Sequence, residues 1–398
     1  MSKVAVIGNT ARAIGAVCAS DLTLSGHEVR FAVFPEQKDQ LPALRKAGGF
    51  TVEGEAKHLV SKKTGFARLD RICDTTAEAL KDAEAVLIEV DMHQLEQKFG
   101  AMIPELARGA VVHVQSHGYW PAARLTPLLR RAGRDDVIVT EAPAPTHAAR
   151  FEGTVVTPKG LRKGIRVATV PASRSDEALA ALQPLFPDFA AASSVLQTGL
   201  ENLNLIVHPA MVLPNIGAME RAKLDGRKFG FYQEGVVPAA GVLGDALDAE
   251  RKGVCEAYGV EHTPMAKAIE QYYGFRSSSF YEGMQNPVYK SFPPFQPDIW
   301  RAWSSDDLRY AVVPCVQLAD QAGIPAPLHR AFAEILGVLL GVDAWKCGPS
   351  LADMDLEGSP QAVKNRVLGL QDRYPNRHSG EVPPSYLPPR AGEGDKQD

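Results

Sequence analysis

Strand-like and helix-like runs alternate along roughly the first 150 residues, and the strand signals then stop near residue 190. "KVAVI" (3–7) is a short apolar run closed by Gly8 and reads as a buried parallel strand. An apolar-periodic stretch from Ala13 to Leu24 follows and stops at Ser25-Gly26, a good helix end. "HEVRFAVF" (27–34) is the next strand, which completes one βαβ unit of about 30 residues. The pattern repeats: "AEAVLIEV" (83–90), "AVVHVQS" (110–116) and "DVIVTEA" (136–142) read as strands, with helical stretches at 77–83, 94–106 and 122–132. Such alternation predicts an α/β, doubly wound, mostly parallel sheet. "GTVVTPKGLRKGIRVATVPA" (153–172) reads as two closely spaced strands, a hairpin added to that sheet.

Beyond it, residues 200–222, 239–258, 263–273, 306–322 and 327–341 carry helical periodicity, broken by a Pro- and aromatic-rich loop at 284–300. The expected division is a nucleotide-binding sheet domain over 1–190, an all-helical substrate domain over 191–372, and a polar Pro-rich tail over 373–398. A length of 398 residues suits two cores rather than one. Charged residues make up 23% and the net charge is −4 with both signs interspersed, which argues against a nucleic-acid surface. Five scattered cysteines without a CxxC argue against a disulfide framework or structural zinc and for a reducing compartment. No run is apolar enough to span a bilayer and no secretory leader opens the chain, so a cytoplasmic protein without membrane attachment is expected. A homodimer is the base-rate expectation for assembly.

The first strand leads into "IGNTARAIGAVC". A dinucleotide site wants glycines where strand meets helix: for the turn, for backbone approach to the pyrophosphate, and for helix packing. Gly8 fills the first slot, Thr10 replaces the second glycine, and Ala13 or Gly15 takes the third; Asn9 lies between. The strict glycine motif is absent, and a plain βα turn is the competing reading. The second strand ends in "RFAVFPEQK", with no acid at its tip for a ribose hydroxyl. Glu36 comes two residues past Phe34, whereas Lys38 or Arg30 would suit a 2′-phosphate. The cofactor expectation is NADP or NAD, leaning to NADP.

In "ENLNLIVHPAM" (201–211), His208 follows an apolar run. It reads as a core residue or a proton carrier; a metal role lacks any neighbouring His/Cys cluster. Asn202 and Asn204 either cap a helix or line a cleft. "SSDDL" (304–308) by itself reads as a helix start with acids in its first turn.

Four ordered stretches together resemble the octopine/nopaline (opine) dehydrogenase family: "ENLNLIVHPAMVLPNIG" (201–217), "FYQEGVVP" (231–238) with "ALDAERKGVCEAYGV" (246–260), "WSSDDLRYAVVPCVQLADQAGIPAP" (303–327), and "TEAPAPTHAAR" (140–150). The resemblance implies a Rossmann-type domain followed by a helical domain like the 6-phosphogluconate dehydrogenase C-terminal one. It implies NAD(P)H-dependent reductive condensation of a 2-oxo acid with the amino group of an amino acid, and a His–Asp dyad. His208 matches the family histidine. Counting back from the Val-Pro pair selects Asp307 as its partner, and counting forward from Arg301, taken as the family arginine, selects Asp306. Ser305 as helix N-cap favours Asp307. An imidazole titrates near working pH and suits the proton step, with the carboxylate fixing its tautomer. A planar arginine fork suits the oxo-acid carboxylate: Arg301 first, Arg150 second. Where the family has a Pro- and Gly-rich turn, this chain reads "QSHGYW" (115–120); His117 and Tyr119 there either contact nicotinamide or substrate or form a plain loop. "EVDMHQ" (89–94) is a second departure at a strand end. A keto-acid reductase of the same superfamily and a non-catalytic dinucleotide-binding sensor are the alternatives.

Overall fold

A computed structural model describes residues 1–8 and 13–370. Twelve strands form two sheets: β1 Lys3–Gly8, β2 Glu28–Val33, β3 Gly49–Val52, β4 Gly65–Arg68, β5 Arg71–Ile72, β6 Ala85–Ile88, β7 Val111–Val114, β8 Ile138–Glu141, β9 His147–Glu152, β10 Val155–Leu161, β11 Arg166–Thr169 and β12 Ala190–Ala191. The larger sheet runs β12-β11-β8-β7-β6-β1-β2-β5. Its β8, β7, β6, β1, β2 and β5 are parallel, and β11 pairs antiparallel with β8. Val4 to Ile7 are at most 1% exposed. Both faces of this central strand are covered, which is why it reads as an unbroken apolar run rather than an alternating one.

The smaller sheet, β4-β3-β10-β9, was not legible in the sequence. The expected hairpin over 153–172 is corrected by it. β10 pairs with β9 and, in parallel, with β3, whereas β11 leaves for the larger sheet. The helix Ala13–Leu24 lies between the two sheets, touching β1 and β2 on one side and β3, β4, β9 and β10 on the other. Gly15 to Leu22 are accordingly all buried, and the helix has no polar face.

From Val195 on, the described chain is helical, with long helices at Val207–Leu224, Pro238–Ala257, Met265–Tyr273, Ile299–Asp307, Val313–Ala322 and Pro327–Leu340. The Ile299–Asp307 helix passes into Val313–Ala322 through a π-helical turn, Leu308–Val312. Pro314 lacks an N–H and its ring crowds the carbonyl four residues back, so a wider turn there relieves the clash. Ser305 lies inside this run, not at its start, which corrects the expected N-cap. The polar tail falls outside the described residues. No helix among those described is long and apolar enough to cross a membrane.

Candidate active site

Sheet order reverses between β6 and β1, and in such sheets ligands bind outside the carboxyl ends at that point. Gly8 stands there. A Cβ on it would meet the Phe31 ring at 2.7 Å, so the tip of β1 tolerates only glycine. Gly15 and Ala13 open the following helix, and Asn9 and Thr10 lie outside the described residues. Glu89, just past β6, accepts the Gly15 N–H at 2.7 Å and the Ile14 N–H at 3.3 Å while 4% exposed. A helix start favours anions, and here it already holds a carboxylate. The switch point, Gly8 and an anion-seeking helix start together fit a dinucleotide; Glu89 is the local departure. At the tip of β2, Lys98 sits 4.2 Å over the Phe34 ring and pairs with Glu36. Lys38 is exposed there. Arg30 is turned to Glu28 at 2.8 Å, in the amino-terminal half of the strand, so it is not a candidate for a 2′-phosphate.

The loop after β7 rises from the carboxyl edge toward the helices. Gly118 presses it against the Val195–Leu200 helix, where a Cβ would lie 2.2 Å from the Thr198 carbonyl. Trp120 takes a left-handed φ of 61° before Pro121, an unusual state for a large side chain, and its ring packs over Gly199. Glu141 underpins the loop. It accepts the Ala122 N–H at 2.8 Å and the Thr198 hydroxyl at 2.5 Å, and burial pushes its carboxyl up to about 7.

This loop delivers Tyr119, whose hydroxyl donates to Asp307 Oδ1 at 2.6 Å. The other carboxylate oxygen, Oδ2, takes His208 Nδ1 at 2.5 Å. Asp307 is fully buried and His208 is 7% exposed. Asn204 Nδ2 donates to the Tyr119 hydroxyl at 3.0 Å, closing a chain Asn204–Tyr119–Asp307–His208. Burial, and then the Asp307 and Asp306 charges, raise the Tyr119 phenol well above its ordinary value, so it stays a donor. Trp303 lies parallel to the His208 ring, 4° between planes and 5.0 Å between centroids, and Phe231 meets it edge-on at 6.0 Å. Trp303 and Asp307 are four apart on one helix, so one face supplies both the stacking ring and the carboxylate. With Nδ1 on the carboxylate, Nε2 is the ring nitrogen left to meet a substrate.

The structure thus brings His208 and Asp307 together, and Asp307 rather than Asp306 makes the bond. Arg301 is not at this site. It lies two residues from Trp303, hence on the opposite helix face, where it bonds Glu220 at 3.1 Å and the Leu339 carbonyl at 3.3 Å. Arg150 is exposed on β9, opposite Thr157. Asn202 is fully buried; it caps the Leu203–Leu205 turn through the Asn204 N–H and reaches the Gly118 carbonyl, so it positions the loop rather than lining a cleft. His117 is half-buried beside Tyr119, 5.9 Å between rings. Tyr119 is drawn to Asp307 instead of outward. Asn204, expected either to cap a helix or to line a cleft, holds Tyr119 instead, and Trp303, Glu141 and Glu89 were missed as functional candidates from sequence; for Trp303 the spacing to Asp307 was the available signal.

Residues 191–340 match the family model of the NAD/NADP octopine/nopaline dehydrogenase alpha-helical domain. An opine dehydrogenase of Arthrobacter sp. (strain 1C) is 24% identical over 347 residues, covering 86% of this chain and 93% of that protein. The fold is similar to octopine dehydrogenase solved with NADH and agmatine: TM-score 0.68, 19% identity, 94% of this chain and all of that one. It is also similar to NADP+-bound yersinopine dehydrogenase: TM-score 0.62, 14% identity, 92% and 98% coverage. Residues 191–340, which follow a doubly wound sheet, thus carry the alpha-helical domain of the octopine/nopaline dehydrogenase family, and the whole chain is similar to an opine dehydrogenase in sequence and to octopine dehydrogenase in fold.

Proposed function

We propose that the protein is an NAD(P)H-dependent opine dehydrogenase that joins a 2-oxo acid to the amino group of an amino acid. The observation that carries this reading is the His208–Asp307 pair, held rigid on one side and offering Nε2 on the other. The relatives' chemistry points the same way: one is an opine dehydrogenase, and the similar structures hold NADH with agmatine, or NADP+.

The balance of the reaction is 2-oxo acid plus amine plus NAD(P)H plus a proton, giving a secondary amine dicarboxylate, NAD(P)+ and water. A bound nicotinamide cofactor would supply the hydride, and Gly8 with the start of the Ala13–Leu24 helix would face its phosphates. His208 Nε2 handles the proton at the carbonyl or imine centre. Asp307 accepts Nδ1–H, fixing the tautomer and stabilising the charged imidazole when it forms. Tyr119 and Asn204 keep the carboxylate from turning. Trp303 and Phe231 cover the ring and exclude water from it. Lys38, exposed just past β2, is the cation that favours NADP over NAD, while Lys98 beside the strand tip is paired with Glu36. The same reading takes the enzyme as a cytoplasmic homodimer, which light scattering of the purified protein checks.

The test is NADH and NADPH oxidation across a matrix of 2-oxo acids and amino acids. Oxidation needing both partners is expected. Oxidation with an oxo acid alone would convert the reading to a keto-acid reductase, and cofactor binding without oxidation would leave a sensor.

A further inference from the structure

With Arg301 and Arg150 turned outward, the His208 site needs another cation for a substrate carboxylate. Arg124 is spent on both oxygens of Glu96 at 2.6 and 2.9 Å, and Arg309 on the Cys347 carbonyl and Ser305. Arg162, just past β10, differs. Its Nη1 donates to the carbonyls of Pro145 (2.7 Å) and His147 (3.0 Å), in the segment leaving the carboxyl end of β8. No carboxylate among the described residues pairs with it. Both bonds leave from Nη1, so the Nε/Nη2 edge, which grips a carboxylate in a two-point fork, engages no protein acid. A half-buried guanidinium without a counter-ion is costly, and an incoming anion removes that cost.

Its surroundings are aromatic. The guanidinium stands 5.8 Å over the Tyr273 ring, whose buried hydroxyl has no hydrogen-bond partner among the described residues. Tyr273 meets Tyr289 at 5.8 Å, Tyr289 stacks on Tyr232 at 5.1 Å, and Tyr232 adjoins Phe231, which flanks His208. Gly160 lets the strand end approach: a Cβ there would stand 3.3 Å from Tyr273 and 3.4 Å from Val288. Burial pushes the Tyr232 phenol up, with Arg162 lowering it and Asp307 raising it, so Tyr232 stands in both fields.

We propose that Arg162 binds a substrate carboxylate, with the hydroxyl of Tyr273 beside it and Tyr289 and Tyr232 walling the path to His208. This rests on the opine dehydrogenase reading for the identity of the substrate.

The experiment titrates pyruvate, 2-oxoglutarate and methyl pyruvate into NADPH-saturated protein, read by tryptophan fluorescence, for wild type, Arg162→Gln and Arg162→Lys. KM and kcat are measured for whichever pair turns over. Expected is at least tenfold weaker binding of the acids by Arg162→Gln, partial recovery by Arg162→Lys, unchanged NADPH affinity, and no difference for the uncharged ester. KM should carry the loss more than kcat. Equal acid affinity in wild type and Arg162→Gln, an equal loss for the ester, or no acid binding by wild type would each overturn the assignment. Acid binding that depends on Arg162 without any NADPH oxidation would instead retain this site and sink the dehydrogenase reading.

Discussion

Of the histidine–aspartate pairs among the described residues, His208–Asp307 and His147–Asp21 share composition and burial but not exposure of the ring. His208 gives Nδ1 to Asp307, and its Nε2 makes no hydrogen bond among the described residues. His147, on β9, has both nitrogens engaged: Nε2 with Asp21 at 3.1 Å and Nδ1 with the Thr146 hydroxyl at 2.9 Å. Asp21 in turn accepts the Val60 and Ser61 amides at 2.8 Å each. Burial raises Asp21, but His147 and the Ser61 bonds outweigh it and hold its carboxyl below the ordinary range. Cys18 lies beside this cluster, so by residue type alone it resembles a Cys–His–Asp nucleophile set. All three side chains are fully buried, and burial drives the Cys18 thiol far up, which leaves it inert. The interior pair fastens the smaller sheet to the Ala13–Leu24 helix; the His208–Asp307 pair is the one proposed to move a proton. One open ring nitrogen separates the pair proposed to be catalytic from the structural one.

The sharpest way to break this contrast is substitution of each histidine. His208→Asn, whose side-chain amide can keep a donor on the buried Asp307, is expected to lower kcat about 10³-fold, within the span of acid–base catalysis, and to shift the melting temperature little. Steady-state kinetics beside a thermal melt would show it, and a large melt shift would make the pair structural. His147→Ala is expected to do the reverse. It leaves a buried carboxylate without its partner, costing about 3–5 kcal/mol in a urea titration, while kcat per folded molecule holds.

Glu141 sharpens the comparison through pH. Its folded value is raised from the ordinary 4.5 to about 7, so the stability it contributes is full below 4.5 and is lost as pH climbs through 7. The loss amounts to about 3 kcal/mol at 1.36 kcal/mol per unit. In a glutamine the amide oxygen keeps the Ala122 N–H, and the amide nitrogen faces the Thr198 oxygen, whose own O–H then turns to the Val195 carbonyl at 3.2 Å. Glu141→Gln is therefore expected to melt higher than wild type at pH 8 and alike at pH 4.5; parallel curves at both would refute the assignment.

Tyr119→Phe removes one donor from Asp307 and is expected to cost roughly tenfold in kcat, or about 1.4 kcal/mol, without altering cofactor affinity. The smallest effect concerns Glu89. On the proposed cofactor placement its carboxylate shares the helix start with the phosphates, so Glu89→Gln is expected to tighten NADPH binding by roughly threefold to tenfold, about 1 kcal/mol. Fluorescence titration decides it, and weaker binding would mean that Glu89 helps to build the site.

The alternation of apolar runs determined the sheet domain by itself, because a strand covered on both faces must be apolar throughout and a crossover helix must return to it. The helical half was legible for the same reason of periodicity, and the sequence around His208 and Asp307 carried the resemblance that paired them. What tertiary structure alone decided is which side chains converge. The smaller sheet joins strands about 100 residues apart, β3 with β10, and no local pattern reveals such a pairing. Arg301 and Trp303 are two residues apart, yet the helix turns one to solvent and the other onto His208. Tyr119 reaches Asp307 across 188 positions of chain. His147 and His208 look alike as letters, and only packing, by closing both nitrogens of one ring and leaving one nitrogen of the other open, gives them opposite roles.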